Sequence, residues 1–129
     1  MKHASLRRFA FGLMAAAGIV AGALIPQDPD AKQLAVERYE AAQQVWGHLE
    51  KSWETAAEVD TRALWSRRLA EAAAESGAVP ARDAFAQHLA RMQEMIVVVK
   101  ARQEAGRSSA ADLAVVEFHV AEAKLLAKR

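Results

Sequence analysis

Residues 30–59 read DAKQLAVERYEAAQQVWGHLEKSWETAAEV, and the spacing of their apolar side chains decides the fold class. Ala35, Tyr39, Ala42, Trp46, Leu49, Trp53 and Ala56 alternate by four and by three. That rhythm places all seven on one face of a helix, as a single seam at heptad spacing. Asp30 and Gln33 stand three apart at its start, the arrangement of a capping box. The pattern predicts a helix from Asp30 to about Val59, roughly 40 Å long at 1.5 Å per residue. Gly47 is its one weak point and faces away from the seam.

The same rhythm continues downstream. Asp60 is placed to cap a second helix, whose apolar face is Leu64, Trp65, Leu69, Ala72 and Ala73 and whose end is Ser76-Gly77. Pro80 suits the first turn of a third helix, with Asp83 near its positive end. Its seam is Phe85, Leu89, Met92, Ile96, Val99 and Gln103, and Gly106 closes it. Ser109 and Asp112 form a second capping box, followed by Leu113, Val116, Val120, Ala123 and Leu126 or Ala127 on one face. The expected fold is all-α: four helices over residues 31–129, joined by short connections into antiparallel hairpins. A compact four-helix bundle and a longer, coiled-coil-like pair of hairpins both satisfy this pattern.

Upstream, Lys2, Arg7 and Arg8 precede a run from Phe9 to Ile25 without a charged side chain, and Pro26-Gln27-Asp28-Pro29-Asp30 stops it. A basic stub, an apolar run and a polar exit make a secretory signal. Ala21-Gly22-Ala23 is a small-x-small cleavage site, so residues 1–23 are expected to be removed and residues 24–30 to act as a linker. The alternatives are an uncleaved anchor through residues 9–25, with Gly18 and Gly22 as a helix-pairing face, and a buried soluble helix. With the basic stub held inside, the rest of the chain is expected in the periplasm or outside the cell, or on the membrane facing the envelope.

Composition narrows the chemistry. The 129 residues contain no cysteine, which excludes disulfides, thiolate metal sites, iron–sulfur clusters and a lipoprotein anchor. Formal charge is +1, and without Lys2, Arg7 and Arg8 it is −2, which leaves no electrostatic footprint for nucleic acid.

Few residues offer site chemistry. His48, His88 and His119 form no i,i+4 histidine pair, and no H-E-x-x-H occurs. His88, Met92 and Met95 share a face, and imidazole with thioethers suits a soft ion such as Cu(I); a routine core position explains them equally. Trp46, Trp53 and Trp65 are the unusual cluster. They read either as core or as aromatic anchors for a protein partner. Arg67-Arg68 beside Trp65 is a basic pair on a helix face. Ser52, Ser66, Ser76, Ser108 and Ser109 lie in no nucleophile elbow, and there is no phosphate loop or dinucleotide fingerprint. No catalytic residue set and no cofactor are expected.

The last hairpin, Glu104-Ala-Gly106-Arg107-Ser-Ser109-Ala-Ala-Asp112-Leu113-Ala-Val-Val-Glu117 and on through Ala121-Glu-Ala-Lys-Leu125-Leu-Ala, resembles the helical hairpins of TolC-like outer-membrane efflux proteins. Those repeats carry a Gly, then Ser or Thr, then an Asp-Leu pair, then an Ala/Glu-rich helix. The resemblance covers about a quarter of the chain. The family's longer chain and barrel strands have no counterpart here, so its export activity is not carried over. What the resemblance implies is a periplasmic helical hairpin that docks on other helices. The layout is also similar to small uncharacterised secreted helical proteins of bacteria, which implies no activity. Together these readings point to an envelope interaction protein working by helix–helix docking, on a partner or on a second copy of itself. The rival is a periplasmic metal- or ligand-binding bundle of the stress-response type.

Overall fold

The computed structural model describes residues 28–51 and 58–129. Four helices are described: α1 (Pro29–Glu50), α2 (Glu58–Ser76), α3 (Ala81–Glu104) and α4 (Ala110–Ala127). No strand occurs among the described residues. The chain divides into two compact units, Met1–Lys32 and Gln33–Arg129. Of the first, only Asp28–Lys32 are described. The apolar run 9–25 and Trp53 lie outside the described residues.

α1 begins two residues earlier than its sequence pattern suggests. Asp28 Oδ1 accepts the Asp30 N–H at 3.0 Å, so Asp28 rather than Asp30 is the cap. Pro29 makes this start easy, because its fixed φ is already helical and it has no N–H to leave unpaired. Gln33 donates along the helix to Glu37 Oε1 at 3.1 Å instead of closing a capping box. The far end also differs. α1 stops at Glu50, and Val59 belongs to α2, where it is buried among Met92, Met95, Val99 and Val116. Asp60 is therefore inside the first turn of α2 and is not its cap.

The turns follow the sequence closely. Gly77 and Gly106 sit at φ 76° and 72°, the left-handed region that suits a helix C-terminus. Ser109 Oγ accepts the Asp112 N–H at 3.2 Å, and Asp112 Oδ2 accepts the Ser109 N–H at 2.7 Å. This capping box starts α4 as expected.

Contacts between helices fix their directions. Ala73 packs near Ala84, Ser66 meets His88, and Val59 shares a cluster with Met95 and Val99. Partner numbers rise on α3 as they fall on α2, so the two are antiparallel. α4 runs back along α3, with Val116, Val120 and Ala123 buried against Met92, Met95 and Val99. It lies parallel to α2, as His119–Asp60 and Arg67–Glu122 show. The part of α1 from Gln33 onward crosses α2 in the opposite sense: Arg38 pairs with Glu75 at 2.6 Å, while Trp46 and Glu50 approach Arg62. Up, down, up, down is the expected antiparallel arrangement, and the helices form a bundle.

The packing is uneven. α2, α3 and α4 approach closely, but no Cα of α1 comes within 8 Å of another helix among the described residues. Long side chains bridge that distance. Tyr39 packs against Ala70, Ala73 and Ala84, and Trp46 lies under Arg91. The α2 core face differs in part from the expected one. Ala72 and Ala73 are buried as expected, but Leu64 is exposed and Trp65 and Leu69 are half-buried, while Arg62, Ala63, Ser66 and Ala70 face inward. Small side chains at the centre let α3 come close, and the larger apolar ones are displaced to the rim.

Candidate functional site

The most concentrated chemistry lies where α2 meets α3. Ser66 and His88 are buried, at 0% and 1% exposure. Ser66 Oγ lies 2.7 Å from His88 Nδ1. Arg91, one turn beyond His88, donates Nε–H to the same Oγ at 2.7 Å and Nη2–H to the Ser66 carbonyl at 3.1 Å. Arg91 takes one lone pair of the hydroxyl, which leaves its proton and its second lone pair for the contact with Nδ1. Burial, aided by the positive charges of Arg91 and Arg67 and by His119, pushes the His88 imidazole down from 6.5 to about 4. Burial also pushes Arg91 down, countered by Glu50 and Glu94.

A serine hydroxyl on an imidazole has the outline of a nucleophile and its base. Here the pair stands inside a helix interface. Both groups are sealed from solvent, and Arg91 holds the hydroxyl in place. No carboxylate is hydrogen-bonded to the His88 imidazole among the described residues. The network satisfies three polar groups in a helix interface where each alone would be costly.

Around the open side of Arg91 is a cleft of about 290 Å³, lined by Trp46, Glu50, Arg62, Arg91, Glu94, Met95 and Val98. The Arg91 guanidinium stands 5.4 Å from the Trp46 ring centre, a cation–π arrangement. Its volume is at the lower limit for a small-molecule pocket. Its walls mix both charges, and nothing in it converges on a reacting atom.

The residues singled out by sequence are dispersed. Trp46 is half-buried below Arg91, and Trp65 is half-buried with the Arg68 guanidinium 4.8 Å from its ring centre. The two tryptophans stand in different environments. Arg67 bridges Glu71 at 2.9 Å and Glu122 at 3.4 Å, tying α2 to α4. His119 Nε2 meets Asp60 Oδ1 at 2.8 Å. His88, Met92 and Met95 do share a buried face. Met92 is wholly enclosed, at 0% exposure, and His88 Nδ1 is engaged by Ser66. Among the described residues no three His, Asp or Glu side chains converge on a point that could hold a metal ion. No described helix is long and apolar enough to cross a membrane.

A second feature escaped the sequence reading. The core seam of α4 uses Val116, Val120, Ala123 and Leu126. On its opposite side Ala111, Ala114, Phe118, Ala121 and Leu125 are all exposed. These five alternate by three and four, which is another heptad seam, turned to solvent. Phe118 is 63% exposed and Leu125 67% exposed, so the two large apolar groups stand clear of the surface. The signal was present in the sequence: α4 carries apolar residues on two opposite faces, which an ordinary surface helix does not. Phe118 in particular has no place in the core seam.

No protein family, curated protein or solved structure matches the chain.

Proposed function

We propose that this chain is a non-enzymatic interaction protein of the cell envelope that works by docking a helix on a helix. The observation that carries the reading is the outward seam of α4, which offers Phe118 and Leu125 to solvent at coiled-coil spacing. Exposed large aromatics and leucines set one heptad apart are the usual anchors of helix recognition. The buried Ser66–His88–Arg91 network supports the non-enzymatic side of the proposal, since its hydroxyl and imidazole have no access to a substrate. Export rests on the basic stub and apolar run of residues 1–25.

The test is photo-crosslinking in the cells that make the protein, with a benzophenone side chain replacing Phe118. An adduct to a protein chain, formed outside the cytoplasm, is the expected result. No protein adduct at position 118, or an adduct formed only in the cytoplasm, would defeat the proposal.

A further inference from the structure

The docking reading leaves the partner open, and the residues flanking the outer seam of α4 narrow it. In heptad terms Ala111, Phe118 and Leu125 occupy one core position of the seam, and Ala114 and Ala121 the other. Glu117 and Lys124 each stand immediately before a large seam residue, so both lie on the same flank. Glu122 lies on the opposite flank, the one that meets Arg67 of α2. Flanking charges decide the orientation of a helix pair.

A parallel second copy would set one flank against the other. Glu117 would face the partner's Glu122, a like-charge contact occurring twice, and Lys124 would find no acid opposite it within the helix. An antiparallel copy sets each flank against itself. Glu117 then faces the partner's Lys124, and Lys124 faces the partner's Glu117. Phe118 falls opposite Ala121, and Leu125 opposite Ala114, so each large side chain meets a small one. Neither Glu117 nor Lys124 forms an ion pair within the chain among the described residues, and both are exposed.

We infer that α4 pairs antiparallel with the α4 of a second copy of this chain, through the seam Ala111, Ala114, Phe118, Ala121 and Leu125. The inference rests on the docking reading above and assigns its partner. The alanines let the two axes approach closely, while Phe118 and Leu125 supply the apolar area. The helix that carries the seam is short, 18 residues or about 27 Å. Such a pair is small as interfaces go, and it exchanges with monomer as concentration changes.

The chain has no cysteine, so introduced thiols are unambiguous. Full-length Ala114→Cys and Leu125→Cys chains are mixed and oxidised. The expected product is the mixed disulfide joining position 114 of one chain to position 125 of the other. In the antiparallel register two 114 positions are about 16 Å apart along the axis, too far to bridge. A separate charge series keeps folding out of the result, because both flanking positions are exposed. E117K should weaken dimerisation about tenfold, and E117K/K124E should restore it. A dominant 114–114 disulfide, absence of the mixed disulfide, or failure of the double reversal to restore pairing overturns the inference. The docking reading fails separately: a Phe118-site crosslink to a different protein removes only the self-pairing, whereas a crosslink confined to residues 1–27 of the same chain, or no protein adduct at all, removes docking itself.

Discussion

His88 is the residue on which the stability of the bundle should turn with pH. Its imidazole is held neutral by burial, with Arg91, Arg67 and His119 adding positive charge nearby, and its folded-state value falls from 6.5 to about 4. Above 6.5 the folded and unfolded chains are both neutral at this position, so its contribution is fully present. As pH falls below 6.5 the unfolded chain takes up a proton and the folded one does not. The stability is lost progressively until about 4, and the loss approaches roughly 3 kcal/mol. Urea unfolding across this window should show that decline in the wild type and a flatter curve in His88→Gln. Equal slopes in the two proteins would contradict the assignment. Sequence placed His88 on a face with Met92 and Met95, which holds. It did not reveal Ser66 and Arg91 as partners, because they come together only when α2 and α3 pack, and no local spacing links residues 22 and 25 positions apart.

Three helix ends were legible from their sequence neighbours, while the Asp30 and Asp60 starts were not. Gly77, Gly106 and the Ser109–Asp112 box act through local backbone geometry, and each sits where its chemistry requires. Ser109→Ala should therefore cost about 1 kcal/mol, measured by thermal or urea unfolding, since the Asp112 N–H loses its acceptor. An unchanged midpoint would mean that α4 is held by packing alone. The face of α2 was less legible. Leu64, Trp65 and Leu69 are its largest apolar residues, and periodicity counts them as core. The packed helix keeps the expected Ala72 and Ala73 buried but adds Ala63, Ser66 and Ala70 in place of the large residues, with Arg62 among them. Close approach of two backbones selects small side chains at the centre, and a hydropathy pattern does not register that preference. The end of α1 was misread for a similar reason. Val59 continues the heptad rhythm by number, yet its burial against α3 and α4 belongs to α2.

At the scale of the whole molecule, four helices in antiparallel succession follow from the sequence, because repeated three–four spacing and short connections leave few other arrangements. The number of apolar seams was the hidden quantity. α4 has two, and a pattern search finds whichever it meets first. Val116, Val120, Ala123 and Leu126 bind the bundle together, while Phe118 and Leu125 remain outside it. Folding thus rests on one seam of α4, and the proposed association on the other. The most direct measurement is a native mass spectrum of the full chain at increasing concentration, beside Phe118→Glu, with helix content followed by circular dichroism. The account predicts a dimer that grows with concentration in the wild type, and a monomer of equal helix content in Phe118→Glu. A wild-type chain that stays monomeric throughout, or a Phe118→Glu chain that dimerises equally well, would contradict it.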